Sequence, residues 1–352
     1  MDREAIDIVG WDIGGVQVKA AWVIWGAGKL REVRTAVRPF EIWHDRELLC
    51  PVLGEVAEEL GLRGAPAMAV TMTAELSDAF RSKREGVLFV LDSVRRSFPD
   101  TAVHALSAAG EFVPLESARR RPLGFAATNW VASALFTAER HPDSVLVDVG
   151  GTTTDIIPIR DGRILCDGRS DLDRLGSGEL VYTGVLRTNP NTLTGTVPVR
   201  GRPCRVAAEH FAVMADVYLL LGRISPQSYT CATPDGRAKS PEAAAERLAR
   251  LVCADDEMLS REEILKLAYF LSEKQLAHVS DGLLQVLSRL EGAYGMPLVP
   301  AGAGAFVAIE AGRRLGLEVL EPELPGGSLS SGVLPAVAAA CLLARRLEAG
   351  RS

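Results

Sequence analysis

The period of the apolar positions changes several times along these 352 residues, and each change marks an element. Residues 6–11 are a mostly apolar run that ends in Asp12-Ile13-Gly14-Gly15. Two further β-rich segments, 17–25 and 32–37, follow across short glycine turns, which predicts an antiparallel meander. Residues 46–61 then switch to helical spacing, with Leu48, Leu49, Leu53, Val56 and Leu60 on one face and a stop at Gly61. A short buried-type strand is predicted over 67–72, a helix over 78–98 and another over 124–140. The second half opens as the first did. An apolar strand at 144–147 runs into Asp148-Val149-Gly150-Gly151, and 152–159 reads as its return strand. Helical spacing is expected over 209–222, throughout 240–290, over 305–315 and over 330–346. Ser240-Pro241-Glu242 and the capping-box spacing of Ser260 with Glu263 supply start signals.

Set at an offset of 136 residues, DIGGVQVKAAWVI lies over DVGGTTTDIIPIR. The shared pattern is an apolar run, Asp, an apolar residue, Gly-Gly, three residues, a charge, and apolar residues again. It predicts two related domains, 1–140 and 141–352, the second carrying a Gly-, Pro-, Thr- and Arg-rich insert around 166–240. A length of 352 residues suits that division.

Composition narrows the function classes. With 47% apolar residues the chain can bury a large core, which excludes disorder. Lys+Arg at 39 against Asp+Glu at 45 gives a net charge of −6, which argues against a nucleic-acid partner. The six cysteines have no CxxC-like spacing and the five histidines no ligand spacing, so neither a disulfide framework nor a zinc site is expected. The acidic start is unlike a secretory signal, and the apolar tract 333–344 is too short for a bilayer. A soluble, cytoplasmic protein with no membrane role is the expectation.

The two glycine turns carry the candidate chemistry. Glycines let backbone approach a ligand, and successive N–H groups in a tight turn make an anion-binding concavity. Asp12 and Asp148 cannot meet phosphate directly without repulsion, but each can hold Mg²⁺ or its waters. Gly14, Gly15, Gln17 and Lys19 form the first candidate phosphate set. Gly150, Gly151, Thr152, Thr153, Thr154 and Asp155 form the second. Gly302-Ala303-Gly304, ahead of a helix, is a third and weaker one. A plain tight turn is the alternative for any single copy, since Asp and Gly are the commonest turn residues; two copies in matched strand context favour phosphate.

Two such hairpins and a late Gly-x-Gly resemble the duplicated ribonuclease-H-like fold of actin, heat-shock ATPases and sugar kinases. DVGGTTTDI at 148–156 resembles its hydantoinase/oxoprolinase branch more narrowly. VTMTAELSDAF at 70–80, KREGV at 83–87, YTGVLRT at 182–188, VPVRG at 197–201, EHFAVMADVYLLLG at 209–222, RLARLVCADDEML at 247–259 and PAGAGAF at 300–306 are similar to the methanofuran-biosynthesis synthases of that branch. The resemblance implies an α/β, actin/hexokinase-like two-domain fold with an interdomain cleft. In bacteria it implies an association with tetrahydromethanopterin-linked one-carbon metabolism. It further implies a transferase that joins (5-(aminomethyl)furan-3-yl)methyl diphosphate to the phenol of γ-glutamyltyramine and releases diphosphate. Mg²⁺ at Asp12 and Asp148 and small-molecule substrates are the implied partners; ATP or ADP binding and a homodimer stay open.

On that reading the phenol needs a base. Glu75 and Asp78, after a predicted strand end, are the candidates with Asp148 for the catalytic role, either as base or as partner of the aminomethyl cation. Their plainer readings are a solvated loop residue for Glu75 and a helix N-cap for Asp78. Lys83 is a candidate against diphosphate, and Arg187, Arg200 and Arg202 against the γ-glutamyl carboxylate; solvated surface positions are the plainer reading for all four. An ATP-dependent small-molecule kinase or hydantoinase-like ATPase of the same fold is the alternative function, although hydantoinases of this branch are much longer. A nucleotide-binding protein without chemistry is a third reading.

Overall fold

The computed structural model describes residues 5–62, 67–320 and 331–350. Strands β1 (Ile6–Ile13), β2 (Gln17–Gly26) and β3 (Lys29–Pro39) form the expected meander. After helix α1 (Leu49–Glu59) come β4 (Ala67–Met72), α2 (Lys83–Ser97), β5 (Ala102–Leu106), β6 (Phe112–Pro114), α3 (Leu115–Arg120) and α4 (Asn129–Ala138). The sheet order is β3-β2-β1-β4-β5-β6, with β1 parallel to β4 and β4 parallel to β5.

The second sheet repeats this plan. Its strands are β7 (Ser144–Val149), β8 (Thr154–Arg160), a short β9 (Arg163–Ile164) and, after α5 (Asp171–Ser177), β10 (Leu180–Val181). The small hairpin β11 (Thr196–Val199) and β12 (Arg202–Arg205), then α6 (Met214–Leu220), α7 (Pro241–Arg250) and α8 (Arg261–Ser288), lead to β13 (Leu298–Ala301) and α9 (Ala305–Arg314). The order β10-β8-β7-β13 matches β3-β2-β1-β4 element for element, with β13 parallel to β7. A parallel bridge from Leu298 to Val319 stands where the first sheet has β5.

Helix α10 (Leu334–Gly350) ends the described chain. It does not stay with the second half. It lies across β1, β2, β4 and α4, and the contact is so close that a Cβ on Gly10 would sit 2.8 Å from Ala340 N. The chain therefore divides into one unit of Met1–Ser144, Ile159–Asp171 and Pro322–Ser352, and another of Val145–Pro158 and Leu172–Glu321. The sequence places 322–352 with the second domain; the alanine-rich face that packs on Gly10 puts α10 in the first unit. Each unit has its own apolar core.

Several helix expectations change, and the helix over 209–222 shortens to α6. The helix over 78–98 begins only at Lys83, with a separate 3₁₀ turn at Ala74–Leu76 before it, because Ser82 accepts from Glu85 N and starts the helix there. The helix over 124–140 begins at Asn129, after Ala127 takes a left-handed φ of 49°. The 240–290 stretch is two helices separated by a turn that includes Cys253 at φ 56°. Among the described residues no helix is long and apolar enough to cross a membrane.

Candidate functional site

Both glycine turns sit at the C-terminal ends of central strands, where open α/β sheets place ligands. Gly14 N donates to Gln17 O at 2.9 Å, and at the same offset of 136 Gly150 N donates to Thr153 O at 2.8 Å. The segment after the neighbouring parallel strand is tied down alike in both units. Thr73 N donates to Ile13 O at 3.0 Å, and Gly304 N to Val149 O at 2.8 Å. Asp12 lies beside Thr71 on β4, and Asp148 beside Ala301 on β13. The duplication is thus preserved down to individual hydrogen bonds.

The carbonyls of both turns face protein donors. Gly15 O accepts from Ile42 N and Val16 O from Phe40 N. In the second turn Gly150 O accepts from Val185 N at 3.0 Å, and Gly151 O from Leu186 N at 3.0 Å and Arg187 N at 2.8 Å. The N–H groups of Gly151, Thr152 and Thr153 donate no hydrogen bond among the described residues. Carbonyls held inward with three successive amides left over is the arrangement an anion needs.

The glycines have unequal reasons to be glycine. A Cβ on Gly302, whose φ is +83°, would collide with Asp148 Oδ1 and Val149 O. A Cβ on Gly304 would meet Val185 Cγ1 at 2.5 Å. Gly14 is milder, 3.0 Å from Gln17 O, and Gly15 has ordinary contact with Ala74 Cα at 3.9 Å. Sequence reasoning missed Gly184, where a Cβ would meet Gly151 C at 2.5 Å and Gly150 O at 2.6 Å. It stands inside YTGVLRT, a stretch that signals the family without signalling its place beneath the turn.

Several predicted donors have other partners. Asp12, 2% exposed, accepts from Lys19 Nζ at 3.1 Å through Oδ2, while its buried Oδ1 has no partner among the described residues. Lys19 thus answers a carboxylate. Thr154 is fully buried and donates its hydroxyl to Thr183 O at 2.7 Å. Asp155 pairs with the buried Arg174 at 2.7 Å. Only Thr152 and Thr153, both half-buried, keep hydroxyls unengaged by described residues. Arg200 is clamped to Glu263 Oε1 at 2.7 Å and Met258 O at 2.8 Å, which explains its place in the fold without a substrate; Arg202 is exposed on β12, and Arg187 is half-buried. Ala303 is exposed.

The two acidic candidates part company. Asp78 is exposed, and Ser82 takes the capping place it was expected to fill. Glu75 is 1% exposed, and neither carboxyl oxygen has a hydrogen-bond partner among the described residues. Burial pushes its pKa from 4.5 up to about 7, against the pull of nearby amides and of Lys83. Lys83 itself pairs with Asp171 at 2.6 Å, and Asp171 raises the Glu75 value further. The cause of the burial is Gly86 on α2: a Cβ there would meet Glu75 Cα at 2.5 Å, so only glycine lets the helix lie on this turn. Thr128, whose N–H donates to Met72 O at 3.1 Å, adds a second buried and unpartnered oxygen at the end of β4. The Thr73–Glu75 segment borders the first glycine turn, since Thr73 Oγ1 lies 3.4 Å from the Cβ position of Gly14.

Among the described residues no three His, Cys, Asp or Glu side chains gather as a metal cage. Mg²⁺ does not require one; it keeps several waters and takes one or two carboxylates together with phosphate oxygens. The buried, unpartnered Asp12 Oδ1 fits such a ligand, and Asp148 is its equivalent in the other unit.

The hydantoinase/oxoprolinase family model matches residues 67–346. A curated protein of Methanocaldococcus jannaschii, (4-{4-[2-(γ-L-glutamylamino)ethyl]phenoxymethyl}furan-2-yl)methanamine synthase, is 36% identical over 285 residues, which is 81% of this chain and 83% of that protein. The protein of the same name from Methanococcus vannielii is 32% identical over 168 residues, 47% of this chain and 73% of that one. The nucleotide-free structure of acetone carboxylase superimposes with a TM-score of 0.62 at 11% identity, over 96% of this chain and 70% of that one. That likeness establishes the shared fold.

Proposed function

The chain belongs to the hydantoinase/oxoprolinase family, and from that premise we propose that it is a transferase of methanofuran-type cofactor biosynthesis. It joins (5-(aminomethyl)furan-3-yl)methyl diphosphate to the phenol of γ-glutamyltyramine. The name of the Methanocaldococcus jannaschii relative, an enzyme making a phenoxymethylfuran, supports this product class. In the reaction the methylene–oxygen bond to diphosphate breaks with its electron pair leaving on diphosphate. The phenolic oxygen bonds to the methylene, and its proton passes to the protein.

The observation that carries the chemistry is the bare, buried carboxyl of Glu75. A phenol has a pKa of roughly 10. An ordinary carboxylate is too weak a base to share that proton well, whereas one at about 7 is closer in affinity and is ionised in half the molecules at neutral pH. The shift of the buried acid narrows the proton-transfer gap by about 3 kcal/mol. No side chain among the described residues ties up either Glu75 carboxyl oxygen by hydrogen bonding before it accepts the proton.

The glycine turn of the second unit holds the leaving group. The held carbonyls of Gly150 and Gly151 keep the amides of Gly151 and Thr152 fixed before diphosphate arrives, so charge developing on it meets donors already in place. Thr152 and Thr153 add hydroxyl donors to that turn; the first unit's turn, taken by itself, offers the amides of Gly15 and Val16. Lys19 keeps the buried Asp12 from repelling an anion there. Asp12 in the first unit and Asp148 in the second are each suited to hold Mg²⁺, which when bound supplies positive charge against a diphosphate. ATP is not required by this chemistry.

The test is to incubate the protein with the furan diphosphate, γ-glutamyltyramine and Mg²⁺ without nucleotide, and to follow ether by mass spectrometry and diphosphate by ³¹P NMR. Both products are expected in equal amounts. No ether without ATP, together with ADP formation once ATP is supplied, would replace this reading with a kinase- or ATPase-type reaction.

A further inference from the structure

A chain of buried hydrogen bonds runs from α8 to the underside of the second glycine turn. Gln275 on α8, fully buried, donates through Nε2 to Thr183 Oγ1 at 2.7 Å and to Gly184 O at 2.9 Å. Its Oε1 accepts from Tyr218 on α6, whose hydroxyl lies 2.6 Å away. The orientation of the amide is forced, because Gly184 O can only accept and so must face the NH₂ group. Thr183 Oγ1 also shares a hydrogen bond with Thr188 Oγ1, 3.3 Å away, in which either hydroxyl can donate, and Thr188 Oγ1 accepts from Gly184 N at 2.8 Å. Thr154, at the start of β8, donates into the same segment at Thr183 O.

Everything these bonds fix is the stretch Thr183–Thr188. That stretch is the bed of the turn: Gly184 touches the backbone of residues 150–152, and Val185, Leu186 and Arg187 take the carbonyls of Gly150 and Gly151. If the stretch shifts, those carbonyls rotate, and the amides of Gly151 and Thr152, which share their peptide planes, rotate with them. Gln275, 92 positions from Thr183 and 91 from Gly184 in sequence, thereby sets the aim of the turn. Simple core filling does not account for a fully buried amide here, because an apolar side chain of equal size would fill the space without needing partners.

We infer that Gln275 and Thr183, backed by Tyr218, are positioning residues for the anion site of the Gly150–Thr153 turn. This inference rests on the proposed role of that turn in holding diphosphate. Supporting partners one layer behind a ligand group typically change affinity by about 10- to 100-fold when removed.

The experiment is titration of the purified full chain with inorganic diphosphate and Mg²⁺ by calorimetry, on wild type, Gln275→Glu, Thr183→Val and Thr183→Ser. Gln275→Glu keeps the shape but offers Gly184 O and Thr183 Oγ1 an acceptor in place of a donor. Thr183→Val keeps the volume and loses the hydroxyl, while Thr183→Ser restores it. Gln275→Glu and Thr183→Val are expected to weaken diphosphate binding by about tenfold or more, with Thr183→Ser close to wild type. In turnover, KM for the diphosphate substrate should rise while KM for the phenol stays put, a split that general loosening of the fold would not give. Should Gln275→Glu fail to fold, the threonine pair decides alone. If wild type binds diphosphate and Thr183→Val binds it equally well, the inference is overturned and the reading of the turn survives. If wild type binds no diphosphate, both fall together.

Discussion

Glu75 concentrates what one residue contributes here. Its raised pKa means that the folded protein holds a proton that the unfolded chain gives up between pH 4.5 and about 7. Stability at this position is therefore full below pH 4.5 and is lost as pH rises through about 7, by about 3 kcal/mol in total. Glu75→Gln, which never ionises, should match wild type in denaturant stability near pH 5 and exceed it near pH 8 by that order. Turnover should meanwhile fall roughly 10²–10⁴-fold, as for loss of a general base. Wild-type kcat/KM should climb with pH through about 7 as the carboxyl ionises. A stability difference that is the same at both pH values would mean that Glu75 carries no buried charge. The sequence put Glu75 and Asp78 on equal terms, for a simple reason. Burial of Glu75 depends on Gly86, eleven residues on and in another element, and no local pattern encodes that contact.

At the scale of elements, the hairpins and both Asp-x-Gly-Gly turns were legible because they are local: alternation, turn glycines and a repeat at fixed offset are all written in order along the chain. Start signals were legible where they were sought. Ser82 with Glu85 has the same spacing as Ser260 with Glu263, yet the apolar run beyond Asp78 extended the expected helix past it. The bed beneath the second turn was not legible, since Gly184 meets residues 150–152 only after β8 and α5 have returned the chain. Gly184→Ala tests how tightly turn and bed are joined. A methyl group there must displace backbone on both sides, so a loss of about 1–3 kcal/mol is expected, as for other overpacking changes. Gly201→Ala is the control: its φ of +77° is left-handed, unlike that of Gly184, and nothing lies within 4 Å of the new methyl. It should cost about 1 kcal/mol and leave diphosphate affinity alone. Equal effects of the two substitutions on diphosphate affinity would separate the bed from the anion site.

Across the whole molecule, duplication explains the sheets but not the path of the chain's end. One unit is built from the beginning, a middle piece and the last described helix, and the other from the stretch between. The repeat at 136 residues could not reveal this, because α10 has no counterpart within the pattern that repeats. Its role follows from burial: Leu334, Val337, Cys341 and Leu343 are covered, Ala336 and Ala340 meet Gly10, and Glu348 accepts from Trp25 Nε1 at 2.8 Å. At about 1.5–3 kcal/mol for each large apolar side chain, the loss of α10 exceeds the whole stability of an ordinary domain once the face it covers is counted. A chain ending at residue 330 should therefore fail in the first unit while the second keeps its own core. The tryptophans make this measurable, since all five, Trp11, Trp22, Trp25, Trp43 and Trp130, lie in the first unit. The truncated chain is expected to show red-shifted, unfolded-type tryptophan emission alongside persistent helical circular dichroism from α6 to α9. Native-like emission from it would mean that α10 covers the unit without holding it together, and a coincident loss of both signals would mean that the second unit cannot stand once the first has failed.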